Sequence, residues 1–198
     1  MKIKKLIQGS YATNCYLMFK ENNCIIIDPN GNAKKIIDAI GDYKVLAIVL
    51  THGHFDHIGA VDKLVDFYHC NVYMNPNDIS LVNNPKLNSL NGIKSLMNTK
   101  TIDIIEPSLK IGDYIFDVYY TPGHTPGSTI FIIEGYLIAG DVLFKGSIGR
   151  FDFPYSSESK TRNSIKLIKT LNPDLLVLSG HGENSVLKEE FKNNYYLR

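Results

Sequence analysis

The sequence predicts an α/β fold, in which short β-strands alternate with amphipathic helices. Residues 45–50 form a continuous apolar run of strand length, which is typical of a strand buried on both faces. The segment just before it places Ile36, Ile37 and Ile40 at helical spacing. With 198 residues, of which 44% are hydrophobic and 21% charged, the chain fits one globular domain that spans residues 1–198.

The first half of the chain predicts two antiparallel strands followed by alternating helices and strands. The β-rich segments 15–19 and 24–28 flank the polar connection Lys20-Glu21-Asn22-Asn23, which is typical of a hairpin. Apolar spacing then assigns a helix, a buried strand, a second helix and a further strand, in the order 33–40, 45–50, 59–68 and 71–74.

The second half predicts a further set of strands and two helices. Strands are expected over 113–120, 128–133 and 136–139, with Glu134-Gly135 as a tight turn between the last two. A helix that begins at Ser157 and stops at Asn172-Pro173 is followed by a buried strand and a closing helix, over 157–171, 175–178 and 183–193.

Residues 83–98 depart from this alternation. They are rich in Asn, Ser, Gly and Lys with scattered Leu and Ile, and we expect a loop with one weak helical turn. Long loops in compact domains are often functional lids, and a surface insertion without a role is the alternative.

Three histidines and an aspartate lie within six residues, directly after the predicted strand 45–50. Their order is His52-Gly53-His54-Phe55-Asp56-His57. Imidazole and carboxylate groups are ligands of divalent transition metals, and core packing does not call for three histidines this close together. The cluster therefore predicts a metal site.

Further ligand types fall at the ends of other predicted strands, next to glycine or proline. These residues are Asp28, His124, Asp141 and His181. Loops at one rim of a layered α/β scaffold are where catalytic groups converge. One metal needs three or four protein ligands, so a set of seven is enough for two ions if one carboxylate bridges them: His52, His54, Asp56, His57, His124, Asp141 and His181.

The order of these motifs, from Asp28 to His181, resembles the metallo-β-lactamase superfamily. The resemblance implies a four-layer αβ/βα sandwich with a dinuclear site at one edge of its two sheets. It assigns His52, His54 and His124 to the first metal and Asp56, His57 and His181 to the second. Asp141 would bridge the two ions, and Asp28 would brace the histidine loop.

Within the superfamily, residues 140–150 are similar to the glyoxalase II-like branch, the hydroxyacylglutathione hydrolases and their short relatives. This implies hydrolysis of a thioester, such as an S-2-hydroxyacyl thiol, by a metal-bridging hydroxide, with Asp56 and Asp141 as catalytic residues. Arg150 takes the position of a substrate-facing basic residue, and Lys145 is either substrate-facing or a surface residue.

Two departures from full-length glyoxalase II put glutathione specificity in doubt. The chain ends about 17 residues after His181, so we expect it to lack that enzyme's C-terminal helical domain. The tyrosine that the family places after the last metal histidine is replaced by Gly182-Glu183.

These ligands suit zinc, iron and manganese alike; we expect two divalent ions, with zinc preferred.

The alternatives to a thioesterase are a hydrolase of another ester or a lactone, and an iron-dependent persulfide dioxygenase. A β-lactam substrate is not expected, since Asp141 differs from the residue of true β-lactamases. A non-catalytic member is not expected either, because all seven ligand positions are filled.

Composition limits the partners. A net charge of +1 gives no basic field for nucleic acid, and no apolar run is long enough for a membrane span, so the expected partner is a small acyl substrate.

Three cysteines without Cys-x-x-Cys spacing suggest a reducing compartment, and we expect a cytoplasmic protein. We interpret Cys15 and Cys70 as packing residues and His69 as a surface residue. The oligomeric state is left open.

Overall fold

A computed structural model describes residues 1–198 and contains sixteen strands and six α-helices. The strands are β1 (Lys2–Gln8), β2 (Thr13–Lys20), β3 (Asn23–Ile27), β4 (Lys44–Val49), β5 (Asn71–Met74), β6 (Ser89–Leu90), β7 (Ile93–Lys94), β8 (Ile102–Asp103), β9 (Ser108–Ile111), β10 (Tyr114–Tyr120), β11 (Thr129–Ile133), β12 (Tyr136–Gly140), β13 (Leu143–Phe144), β14 (Ser147–Ile148), β15 (Leu176–Ser179) and β16 (Ser185–Val186). The helices are α1 (Ala33–Ile40), α2 (Phe55–Ile58), α3 (Val61–Tyr68), α4 (Ile79–Val82), α5 (Glu158–Ile168) and α6 (Leu187–Asn193).

Twelve of the strands build two six-stranded sheets. The first sheet has the order β1-β2-β3-β4-β5-β8, antiparallel from β1 to β3 and parallel from β3 to β8. The second has the order β16-β15-β12-β11-β10-β9, in which only β12 and β15 are parallel. The remaining four strands form two short hairpins, β6–β7 and β13–β14.

Alternation along the strands creates the layers. In β2, Cys15 and Leu17 pack with the helices α1 and α3, whereas Tyr16 and Met18 point to the opposite face and pack against the second sheet. The outer face of the second sheet packs against Ile165 of α5 and neighbouring residues. Helices therefore cover both outer faces and a third core lies between the sheets, so the expected four-layer αβ/βα sandwich is confirmed.

The two sheets are joined by backbone hydrogen bonds at one end of the sandwich. The Asn14 N–H donates to the Gly180 carbonyl at 2.7 Å, and the Thr129 N–H donates to the Thr51 carbonyl at 2.9 Å. The loops that follow β3, β4, β12 and β15 all emerge there, which brings residues distant in sequence to one edge.

The predicted helices and strands are found, with corrections at their ends. The helix predicted over 59–68 begins at Val61, because a separate four-residue helix, α2, occupies residues 55–58. The helix predicted over 157–171 spans residues 158–168, with the Ser157 hydroxyl capping its first turn. The closing helix begins at Leu187 instead of 183, since residues 185–186 pair with β15.

The sequence prediction lacks the short elements α4, β8, β9, β13 and β14, and it differs from the structure at β1 and in residues 83–98. Strand β1 is not predicted, because it is an edge strand with an exposed face that carries lysines. Residues 83–98 contain the hairpin β6–β7 instead of a helical turn, which lies earlier, in α4. Asn91 and Gly92 form its turn with φ of 52° and 78°, the positive values that Asn-Gly turns favour.

No helix is both long enough and apolar enough to cross a bilayer. Cys15 and Cys24 are buried, Cys70 is partly buried, and all three are free thiols. His69 is exposed at the C-terminal end of α3, away from the joined edge, as expected for a surface residue.

Candidate metal centre

The histidine loop begins where β4 ends, and Asp28 fixes its first residue. One carboxylate oxygen of Asp28 accepts a hydrogen bond from the Thr51 N–H at 2.8 Å, and the other accepts from the Thr51 hydroxyl at 2.6 Å. The short helix α2 then places Asp56 and His57 on the inner side of the loop, where both are buried. Asp28 thus holds the start of the loop in place.

A first group of ligand atoms forms around His54. Its Nδ1 lies 3.0 Å from Nε2 of His52 and 2.9 Å from Nε2 of His124. The Oδ2 atom of Asp141 lies 3.5 Å from the same His124 nitrogen. These four side chains are close enough to share one ion.

A second group forms around Asp56. Its Oδ2 lies 3.3 Å from Nε2 of His181 and 3.8 Å from Nε2 of His57. Asp141 faces this group as well, with Oδ1 at 3.3 Å from His57 Nε2 and Oδ2 at 3.4 Å from His181 Nε2. The structure therefore brings all seven predicted ligands together and places Asp141 between the two groups.

The second ring nitrogen of each histidine is held by a neighbour outside the two groups. Such a bond fixes the orientation of the ring and leaves the other nitrogen facing the centre. The five pairs are His52 Nδ1 with the Thr51 hydroxyl (3.0 Å), His57 Nδ1 with Asp28 Oδ2 (3.0 Å), His124 Nδ1 with the Arg150 carbonyl (2.7 Å), His181 Nδ1 with the Tyr11 carbonyl (2.9 Å) and His54 Nε2 with the Tyr155 hydroxyl (2.7 Å).

Two inward-facing atoms have no hydrogen-bond partner, although both are buried. They are Nε2 of His57 and Oδ1 of Asp141, which lie 3.3 Å apart but form no hydrogen bond with each other. Buried polar atoms are rarely left unpaired, because desolvation without compensation costs free energy. Imidazole nitrogens and carboxylate oxygens that converge in this way fit divalent transition metals, so the residues present suit a pair of such cations.

The electrostatics divide the histidines into two kinds. Burial lowers the pKa of His52 and His54 well below the ordinary value. Burial also opposes a charge on His57 and His181, but the nearby carboxylates, led by Asp141, outweigh it and raise the pKa of His57 well above its usual range and that of His181 to about 10. In the absence of cations, protons on these two rings balance the buried carboxylates.

Two side chains that the sequence did not single out support the loop from outside. The carboxylate of Asp78 accepts hydrogen bonds from the Gly53 N–H (2.9 Å), the Gly127 N–H (2.6 Å) and the Thr125 hydroxyl (2.7 Å). It therefore ties the histidine loop to the loop that carries His124.

Asn88, from the 83–98 segment, is the second support and is fully buried. Its Oδ1 accepts from the Phe55 N–H at 2.6 Å, and its Nδ2 donates to the Gly53 carbonyl at 2.8 Å. Because the partners are backbone groups far away in sequence, nothing in the local pattern indicates this role. The segment is thus attached to the candidate metal centre itself.

A cavity of about 430 Å³ opens onto the two groups of ligand atoms. Arg150 lines it, and its guanidinium pairs with Asp152, with Nε 2.6 Å from Oδ1, and lies 4.4 Å from the ring centre of Phe153. Lys145 is not among the lining residues and pairs with Glu183 on the surface. The structure therefore brings Arg150, but not Lys145, to the cavity.

A family model described as the metallo-beta-lactamase superfamily matches residues 9–181. The chain belongs to this superfamily. Among its members, the Bacillus subtilis "probable metallo-hydrolase YqgX" is 35% identical, over 98% of this chain and 97% of that protein. The Haemophilus influenzae "hydroxyacylglutathione hydrolase GloC" is 32% identical, over 100% and 98%.

Solved structures of the superfamily have the same fold. BLEG-1, named a B3 metallo-beta-lactamase, is 35% identical, with a TM-score of 0.94 and 99% of both chains covered. TTHA1623 in a di-iron-bound form is 30% identical, with a TM-score of 0.87 and coverage of 98% and 100%. ETHE1 from Myxococcus xanthus, at 24% identity, a TM-score of 0.82 and coverage of 98% and 84%, shows the fold alone. Superfamily membership and a His/Asp site together indicate a metal-dependent hydrolase.

Proposed function

We propose that this metal-dependent hydrolase cleaves thioesters, with an S-2-hydroxyacyl thiol as one candidate substrate. The observation that carries the proposal is Asp141, whose two carboxylate oxygens face both groups of ligand atoms. Support for the acyl substrate comes from the similarity of residues 140–150 to the glyoxalase II-like branch. The Haemophilus relative named hydroxyacylglutathione hydrolase, which matches the whole chain, supports it too.

The chain's own residues hold and orient the reacting centre. A pair of divalent cations bound by the seven ligands would supply a hydroxide at neutral pH and polarise the acyl oxygen. Asp56 is kept in place by the Thr13 hydroxyl, which donates to its Oδ2 at 3.1 Å. Asp56, Asp141 and His181 all line the cavity, so a substrate carbonyl can approach both groups.

No cysteine lines the cavity, so none is placed to act there as an alternative nucleophile. Cys15 and Cys24 are completely buried in the core between the first sheet and its helices. Burial raises the pKa of the Cys15 thiol well above its ordinary value, so the reactive thiolate is disfavoured. The neutral, packed cysteines favour hydrolysis by activated water over covalent catalysis.

The test is a substrate panel assayed on protein of measured metal content. Thioesters, lactones, phosphodiesters and a β-lactam are offered to the same preparation, and free thiol or acid is quantified. We expect the thioesters to give the highest kcat/KM. Faster turnover of a lactone or phosphodiester would contradict the thioester proposal while leaving metal-dependent hydrolysis intact.

β-Lactam hydrolysis needs its own measurement, because a solved structure 35% identical to this chain is named a B3 metallo-beta-lactamase. The sequence expectation against this substrate stays a prediction. We expect nitrocefin turnover to be at least about 100-fold less efficient than thioester turnover, a difference of about 2.7 kcal/mol in activation free energy. Comparable efficiencies would contradict that expectation.

The same preparation is used to test the alternative of an iron-dependent persulfide dioxygenase. Oxygen uptake with glutathione persulfide, together with one bound iron per chain, would indicate a persulfide dioxygenase and contradict the hydrolase. We expect no oxygen uptake and two bound divalent ions per chain, because the ligands form two groups that share Asp141.

A further inference from the structure

Most of the residues that line the cavity outside the ligand set are apolar. Of the 17 residues that line it, eight are aliphatic or aromatic and five belong to the seven predicted ligands. The apolar lining residues include Leu87 and Leu90 of the 83–98 segment, together with Phe144, Ile148 and Phe153. A ligand that fills this space gains free energy by removing apolar surface from water.

The cavity offers little positive charge. Arg150 is the single lysine or arginine among its lining residues. Two of its N–H groups already bind the Asp152 carboxylate, at 2.6 and 2.9 Å, and the guanidinium is half exposed at the rim. Away from the metal ligands, a substrate with several anionic groups would therefore find one cationic side chain, which is already paired.

The polar atoms of the wall are also largely engaged with the protein. The Tyr11 hydroxyl donates to the Leu90 carbonyl and accepts from Asn91, and the Tyr155 hydroxyl is bonded to His54. Both ends of the Asn88 amide bind the histidine loop. To donate to a polar peptide, the Tyr11 hydroxyl and the Asn88 amide would have to give up existing bonds, which costs free energy.

We propose that the substrate is a thioester whose larger part is apolar and which carries at most one negative charge. This inference rests on the proposed thioesterase function and narrows its substrate class. It disfavours glutathione as the thiol, because a tripeptide with carboxylates and an ammonium group has too few partners in this cavity.

Thioethers, which cannot be hydrolysed, test the inference by binding alone. The full chain, loaded with zinc, is titrated calorimetrically with S-hexyl-N-acetylcysteamine, S-methyl-N-acetylcysteamine and S-hexylglutathione. We expect the hexyl chain to improve affinity about tenfold or more over methyl, since each buried methylene contributes about 0.8 kcal/mol at most. We expect the glutathione compound to bind no more tightly than its neutral hexyl counterpart.

A matched pair of variants locates the effect. Leu90→Ser should reduce the affinity ratio of the hexyl to the methyl thioether about threefold, because the variant removes the apolar side chain of one lining residue. Ile115→Ser is the control, since Ile115 is an exposed residue of β10 that does not line the cavity. An equal loss in both variants would overturn the assignment of the apolar wall.

Two results would overturn the inference. One is equal affinity for the methyl and hexyl thioethers. The other is S-hexylglutathione binding more than tenfold more tightly than S-hexyl-N-acetylcysteamine, with the difference lost in Arg150→Ala. The corresponding hexanoyl thioester is then assayed for hydrolysis. Tight binding of the hexyl thioether without cleavage of the thioester supports the ligand class and contradicts the thioesterase function, so the two failures are distinguishable.

Discussion

At the scale of single residues, Asp141 and Gly180 depend on each other. Asp141 faces ligand atoms of both groups, and Gly180 lies directly against it. A Cβ atom at position 180 would overlap Asp141 Oδ1 and come within 2.8 Å of the His57 ring. Glycine is therefore required beside the shared carboxylate for a steric reason, although the backbone of Gly180 has no positive φ.

Replacement of Asp141 is expected to disable both halves of the centre. In Asp141→Ala we expect bound metal to fall below one ion per chain and kcat/KM to fall by at least about 100-fold. Loss of a residue that only hydrogen-bonds to a metal ligand already lowers metal affinity or activity about 10- to 100-fold, and loss of a ligand should cost more. Metal analysis and thioester assays provide the measurement, and Asp38→Ala, an exposed aspartate of α1, is the control. Retained metal and activity would remove the shared-ligand proposal.

Replacement of Asn88 is expected to weaken the centre without touching a ligand. Asn88→Ala leaves the Phe55 N–H and the Gly53 carbonyl without their partners, which costs about 1–3 kcal/mol of stability for each buried group. We expect zinc affinity to fall about tenfold. Asn84→Ala is the matched control, since its side chain binds the Lys86 N–H of the same segment instead. Equal zinc affinity in both variants would contradict a positioning role for Asn88.

The ligand types were predictable from the sequence and the support by Asp28 from the family resemblance, whereas the other supporting side chains were not predicted. His and Asp in a spaced cluster are recognisable because metal coordination requires those atoms. Asn88, Asp78 and Tyr155 act on backbone groups or ring nitrogens that only folding brings near, so no local pattern identifies them.

At the scale of elements, prediction succeeded where local signals mark both ends. Helix α1 has its predicted bounds because Asn32 caps its start, accepting from the Lys34 N–H, and Gly41 ends it with φ of 63°. Strand β1 was missed because its pairing with β2 depends on a partner outside its own segment. The hairpin of residues 89–94 carried the Asn91-Gly92 signal, which the prediction of a helical turn overlooked.

That hairpin is expected to control substrate binding more than metal binding. Gly92→Val forces a branched residue into φ of 78°, a strain of about 1–3 kcal/mol, and displaces Leu90 at the cavity wall. We expect KM for an apolar thioester to rise several-fold, with bound metal unchanged. Gly135→Val imposes similar strain at φ of 83° in a turn away from the cavity, so its KM should stay constant.

At the scale of the whole molecule, the candidate centre connects loops from both sheets. The resemblance of the motif order to the superfamily implied the four-layer sandwich, whereas the residue patterns alone predicted a layered α/β fold. Strands β1 and β8, at the two edges of the first sheet, could not be placed, since each depends on pairing with a neighbouring strand.

Metal removal is therefore expected to destabilise the entire fold. A ligand present at about 1,000 times its Kd stabilises the folded state by about 4.1 kcal/mol, which corresponds to roughly 10 °C in Tm for a chain of this size. Thermal unfolding with and without a chelator measures this shift, and added zinc should reverse it. Asp141→Ala should show little response to the chelator; a full response in that variant would indicate metal bound elsewhere.

Metal affinity is expected to rise with pH. Without cations, the pKa of His181 is raised to about 10 and that of His57 lies well above its usual range, so both rings carry protons near neutral pH. Cations must displace those protons, and acid therefore favours the metal-free form. Zinc titrations between pH 6 and pH 8 should show tighter binding at the higher pH, with proton release; pH-independent affinity would contradict this.

The spread of the ligands along the chain also has a consequence for the order of folding. His52 lies in the first half of the sequence, whereas His181 follows β15, one of the last strands along the chain. Contacts this distant in sequence are made late, after the local hairpins. The complete set of ligands thus exists only once both sheets have docked, so tight metal uptake is a sign of a finished fold rather than a nucleus for it.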